Sequence, residues 1–94
     1  MQVKWLRQAL LNLDQEAGHI AQNNPQAASK FVKHIFASVM ILADHPNAGR
    51  AGRVPRTREL IIDRYPYIVP YRVKRETVEL LRFFHTARKW PGKF

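Results

Sequence analysis

No cysteine occurs among the 94 residues, which excludes disulfides and thiolate metal sites and leaves nothing that calls for an oxidising compartment. Glycine is scarce, with four in all. Gly49-Arg50-Ala51-Gly52 does not form a phosphate loop, since no Gly-Lys-Ser/Thr follows and no strand precedes it. No apolar run approaches membrane-spanning length, and no signal-type stretch follows Met1-Gln2-Val3-Lys4-Trp5, so the expected location is the cytoplasm. The four histidines, His19, His34, His45 and His85, include no pair at i, i+4 and have no carboxylate at ligand spacing. Neither a metal nor another cofactor is therefore expected. Ser29 and Ser38 fall inside a predicted helix, away from any strained turn, and support no Ser–His–Asp arrangement. Acidic residues are also few, seven against sixteen Lys/Arg, for a formal charge of +9.

That charge is unevenly placed. From Arg50 to Phe94 twelve Lys/Arg stand against four Asp/Glu, while Met1 to Gly49 carries four against three. Aromatics (Tyr65, Tyr67, Tyr71, Phe83, Phe84, Trp90) and His85 are interleaved with the basic residues. Such a surface attracts polyanions and acidic peptides through its long-range field. A solvated basic face that keeps a small protein in solution is the plainer alternative. The length fits one domain, 1–94, and an apolar content of 46% is ordinary for a globular chain.

Gln2 to Leu6 reads as a short strand, with Val3 and Trp5 alternating against Gln2 and Lys4. Leu6, Leu10, Leu13, Ala17 and Ile20 then recur at three-or-four spacing and predict a helix to Gln22. Asn24 suits an N-cap and Pro25 a first helical position, opening a second helix with Ala28, Phe31, Ile35, Val39 and Leu42 on one face until His45-Pro46. Asn47 to Thr57 is a loop with two glycines, Pro55, Arg50, Arg53 and Arg56. Beyond it the period becomes two. Strands are predicted over 58–63, 67–73 and 77–85, joined by short turns into an antiparallel meander. Pro70 lacks a ladder donor, so a distortion or an unpaired stretch is expected beside it. The order β-α-α-β-β-β predicts an α+β fold, a helical hairpin packed on one face of an antiparallel sheet. The other face is left only partly covered, with Arg72 and Arg82 placed to project from it.

His85 ends an apolar strand and precedes Thr86-Ala87-Arg88-Lys89-Trp90. A histidine beside arginines suits acid–base chemistry on RNA, with the cations stabilising phosphorane-like charge and no metal required. Alternatively its ring hydrogen-bonds the backbone at a strand end. Arg58 is either aimed at a phosphate or a partner carboxylate or held internally, and Glu59 reads as half of an internal salt bridge. Trp90-Pro91 is expected to pack a tail onto the sheet, and Tyr67, Val69, Tyr71 and Val73 read as a core stripe.

Together, Arg53-Val54-Pro55-x-Thr57-Arg58-Glu59-Leu60, Tyr65-Pro66-Tyr67-Ile68-Val69-Pro70-Tyr71-Arg72-Val73, and Val78-Glu79-Leu80-Leu81 running into His85-Thr86-Ala87-Arg88-Lys89-Trp90-Pro91 resemble the RelE/ParE family of bacterial toxins. Leu42-x-x-His45-Pro46 extends the resemblance through the hairpin. It implies a toxin of a type II toxin–antitoxin pair, neutralised by an acidic antitoxin that supplies most of the contact with operator DNA. RelE-like members cleave mRNA on the ribosome; ParE-like members poison DNA gyrase. Nuclease members commonly carry an arginine where Ile68 stands and a tyrosine near the C-terminus, where this chain has Trp90. Both departures, with the His-Thr-Ala-Arg-Lys-Trp-Pro ending, place the chain nearer the ParE-like branch, and Arg88, Lys89 and Trp90 are the expected target-binding residues. The mRNA-endonuclease alternative implies His85 as acid/base with Arg58, Arg72 and Arg88 as phosphate contacts. For the antitoxin, the expected contacts are Leu10, Leu13, Phe31 and Ile35 on the hairpin and Arg50, Arg53, Arg72 and Arg82 on the basic half.

Overall fold

The computed structural model describes residues 1–87. Strand β1 (Gln2–Trp5) leads into helix α1 (Arg7–Asn23), and α2 (Pro25–Val39) follows after a single residue, Asn24. That residue makes the sharp reversal possible. Its side chain accepts a hydrogen bond from the Ala27 N–H at 3.0 Å, while Pro25 begins α2, which satisfies one of the donors a helix start leaves open. Beyond Val39 the helix tightens into a 3-10 turn, Met40–Ala43, and the His45 N–H closes it on the Ile41 carbonyl at 2.9 Å. The remaining strands are β2 (Arg50–Ala51), β3 (Arg58–Ile61), β4 (Tyr67–Lys74), β5 (Thr77–Leu80) and β6 (Phe84–His85).

The sheet runs β1-β5-β4-β3-β2, and β6 pairs with β4 beyond the end of β5. The expected meander of antiparallel strands is present, but β1 lies parallel to β5, with Val3 opposite Val78, so the sheet as a whole is mixed. The helical hairpin carries the chain from β1 at one edge of the sheet to β2 at the other, and the strands that follow bring β5 back beside β1 and parallel to it. The hairpin covers one face. Phe31, Ile35 and Val39 from α2 and Ala9 and Leu13 from α1 meet Val69, Tyr71, Val78 and Leu80 from the sheet in one buried cluster.

Two details differ from the sequence expectation. The loop 47–57 contains β2, whose two residues pair with β3 so that Arg50 stands opposite Glu59. The predicted strand 77–85 is broken into β5 and β6. Tyr71 faces Leu80, yet Ile68 faces Phe84, so one extra residue is accommodated between them, which is the signature of a bulge. Pro70 sits at this point. The Leu81 N–H donates to the Pro70 carbonyl at 2.8 Å, but the proline ring has no N–H to return to Leu81. The Arg82 guanidinium donates to the Leu81 carbonyl instead, at 2.7 Å. The predicted distortion is therefore real, and a side chain supplies the donor that the ladder lacks.

Candidate functional site: the basic half of the sheet

Cross-strand pairing decides which face each charged residue occupies. Arg50, Glu59 and Pro70 lie on the face away from the hairpin, as do Lys4, Glu79 and Arg72. Glu59 is only 1% exposed. Its carboxylate is held by the Arg50 guanidinium at 3.0 Å and accepts from the Arg53 backbone N–H at 2.8 Å. This is the internal salt bridge expected of Glu59, and it fastens β2 and the loop after it to β3. A buried carboxylate without these partners costs several kcal/mol. Arg72 donates to Glu79 at 2.6 Å on the same face. That hydrogen bond, with the charges of Arg72, Lys74 and Lys4, holds the Glu79 carboxyl below its usual range despite some desolvation.

Arg58 pairs with Tyr71 in the register and so points toward the hairpin side. Its guanidinium donates to the Gly49 carbonyl at 2.8 Å, leaving it half-buried at the rim. Tyr71 is fully buried, donates to the Pro46 carbonyl at 2.7 Å and accepts from the Gly49 N–H at 2.9 Å. Burial raises its phenol pKa, against the opposing pull of the Gly49 N–H and the Arg58 charge. Gly49 is required by this contact, because a Cβ there would meet the Tyr71 ring at 2.6 Å and the Glu59 carbonyl at 2.9 Å. Beside these residues an open groove of about 350 Å³ is lined by Arg56, Thr57, Arg58, Tyr71, Arg72 and Val73.

His85 lies at the opposite end of β4. It pairs with Tyr67, its ring packs edge-on against that tyrosine with centroids 5.3 Å apart, and its Nδ1 accepts from the Ala87 N–H at 3.1 Å. That bond places the proton of a neutral ring on Nε2. Tyr67 in turn donates to Glu16 at 3.0 Å in a buried contact and stacks on Phe83 at 4.6 Å. Four residues of strand separate Tyr67 from Tyr71, about 13 Å. His85 therefore sits at the far end of β4 from the groove that Arg58 and Arg72 line together. The structure does not bring the three to one point. Arg88, Lys89 and Trp90, with the expected packing of Trp90-Pro91, lie outside the described residues.

The hairpin residues divide. Leu13, Phe31 and Ile35 are buried against the sheet (at most 3% exposed), while Leu10 is 43% exposed. The first three are core because they face Val69, Tyr71 and their neighbours. The outward apolar surface is made instead by Leu10, Leu11, Phe36, Met40 and Ile41, with Phe36 edge-on to Trp5 at 5.2 Å. Val32, Phe36 and Met40 recur every four residues beside the buried stripe, and that second stripe is the sequence signal for this surface. Arg50 and Arg72 are held by Glu59 and Glu79, and Arg82 by the Leu81 carbonyl. Among the described residues no group of three His, Asp or Glu gathers as metal ligands, and no helix is long and apolar enough to cross a membrane.

A small α+β domain with a basic sheet half under a helical hairpin is the form of the RelE/ParE superfamily toxins. Residues 3–90 match the model of the ParE toxin of the type II toxin–antitoxin system parDE, and the chain belongs to this family. It is 40% identical over 89 residues to a Sinorhizobium fredii protein named Putative toxin Y4kP, covering 95% of this chain and 92% of that one. Among solved structures it superposes on a chain of the chromosomal ParDE TA system from P. aeruginosa with a TM-score of 0.83 and 34% identity. That likeness covers 90% of this chain and 95% of the other.

Proposed function

We propose that this ParE-family toxin arrests growth in the cytoplasm by poisoning DNA gyrase and that a cognate acidic antitoxin neutralises it. The pair represses its own operon, with the antitoxin supplying most of the contact with operator DNA. The observation that carries this reading is the family match over residues 3–90. The separation of His85 from Arg58 and Arg72 supports it, since metal-independent cleavage needs its acid–base group and its cations around one phosphate. In this reading Arg88, Lys89 and Trp90 reach the target, and the toxin is not itself an enzyme. The antitoxin lays apolar side chains on Leu10 and its exposed neighbours while its carboxylates meet Arg50, Arg53 or Arg82. A disordered acidic chain that orders on binding suits such a surface.

The test is induction of the toxin without antitoxin, followed by pulse labelling of DNA, RNA and protein. DNA synthesis falls first, and purified toxin at micromolar concentration changes gyrase supercoiling or cleavage-complex levels. An early fall in translation, with toxicity abolished by His85→Ala, assigns the toxin to mRNA cleavage and sinks the gyrase reading.

A further inference from the structure

One end of the sheet gathers cations that neither the hairpin nor the Glu59 salt bridge uses. The loop between β2 and β3, the end of β4 and the β4–β5 turn all lie there. They carry Arg56, Arg58, Arg72 and Arg75. Arg56 and Arg75 adopt left-handed backbone conformations, φ 66° and 51°, which L-residues other than asparagine and aspartate rarely take up. Neither forms a salt bridge among the described residues. Arg58 and Arg72 are fixed in place by the Gly49 carbonyl and by Glu79, and both line the groove of about 350 Å³ together with Arg56. From the β2–β3 loop to the β4–β5 turn the row crosses the sheet end over about 10 Å, two strand spacings.

We propose that this sheet end binds duplex DNA through its phosphates, with Arg56, Arg58, Arg72 and Arg75 as the contacts. Planar guanidinium forks match phosphate oxygens bidentately, and held arginines lose little freedom on binding. An acidic peptide fits less well. To order itself such a chain needs apolar surface to bury. Of the large exposed apolar side chains only Val73 lines the arginine groove; Met1 lies beside Arg75, and Met40 and Ile41 border this end in the 3-10 turn whose Ala43 carbonyl holds the Met1 amine at 2.9 Å. A cationic groove in which Val73 is the one large exposed apolar side chain has the composition of a DNA interface rather than a protein one. The inference extends the gyrase reading, since gyrase works on DNA. Its test uses toxin and DNA alone, so the two readings fail separately.

The measurement is fluorescence anisotropy of a labelled 20-base-pair duplex of arbitrary sequence between 50 and 200 mM salt. Four phosphate contacts predict a slope of log affinity against log salt of about −3.6, a loss on the order of 100-fold over that range. Arg56→Asn with Arg75→Asn halves the slope and cuts the loss to about tenfold. Asparagine tolerates the left-handed backbone, so the fold is retained. Arg56→Lys with Arg75→Lys keeps the wild-type slope. Arg64→Asn, at a left-handed position (φ 73°) in the turn at the other end of the sheet, leaves binding unchanged. Absence of DNA binding at 50 mM salt, equal weakening by Arg64→Asn, or tighter binding of polyglutamate of equal charge each overturns the proposal.

Discussion

At the scale of single residues, the polar groups that matter most are those whose partners are few and fixed. The Tyr71 hydroxyl serves the Pro46 carbonyl and the Gly49 N–H at once. Tyr71→Phe leaves both without a partner in a buried place and is expected to cost about 2–4 kcal/mol, read as a lower urea midpoint at unchanged slope. Because burial raises the phenol pKa above its usual 10.0, the native state holds this proton more tightly than the unfolded chain. The associated stability is complete below pH 10.0 and is lost as pH rises through the folded value. Tyr71→Phe removes that part of the alkaline loss. Glu79 works in the opposite sense. The Arg72 hydrogen bond lowers its pKa from 4.5, so its contribution is complete above pH 4.5 and fades as pH falls toward the folded value. Urea titrations between pH 6 and pH 3 are expected to show a shallower acid loss for Glu79→Gln than for the native protein. An equal loss in both excludes the Arg72–Glu79 pair as its source.

At the scale of elements, the most informative feature is the interrupted third strand of the meander. Pro70 withholds a donor, the Leu81 carbonyl takes one from Arg82, and the strand bulges before β6. Arg82→Met is expected to cost about 1–2 kcal/mol by orphaning that carbonyl. In a Pro70→Val background, where a backbone N–H can return to Leu81, most of the penalty disappears. A thermodynamic cycle over the four proteins measures this, and additive costs refute the coupling. The same region shows what was legible in the sequence. The two helices, the meander and the disturbance at Pro70 follow from local signals: the spacing of Phe31, Ile35 and Val39, the cap at Asn24, and a missing N–H. The parallel pairing of β1 with β5 is a contact between distant segments, and nothing local in Gln2–Trp5 encodes it. Strand β2 escaped notice because two residues flanked by glycines carry no period. Glu59 was legible as a lone acid among arginines. The outward apolar stripe was hidden because Phe36 and Met40 lie beside a stronger stripe that fills the core.

At the scale of the molecule, the apolar and cationic surfaces are carried by different elements. Exposed Phe36 and Met40, at 40% and 55%, lie on the hairpin, and the arginine row lies across one end of the sheet. One surface offers hydrophobic area to a partner that must fold; the other offers charge to a partner already ordered. The separation predicts that antitoxin binding and phosphate binding can be removed independently. Phe36→Asp with Met40→Asp replaces these apolar groups with charges; the free toxin loses the edge-on contact of Phe36 with Trp5, about 1 kcal/mol, and keeps its toxicity. Antitoxin affinity is expected to fall by at least tenfold. By mass action, antitoxin at one hundred times its dissociation constant stabilises the bound toxin by about 2.7 kcal/mol, and a tenfold weaker complex by about 1.4. The difference is about 5–10 °C in Tm for a domain of this size. Thermal unfolding of both complexes at equal antitoxin concentration reads it directly. Identical shifts would move the antitoxin off the hairpin. A large loss caused instead by Arg56→Asn with Arg75→Asn would place it on the sheet end and displace DNA from that surface.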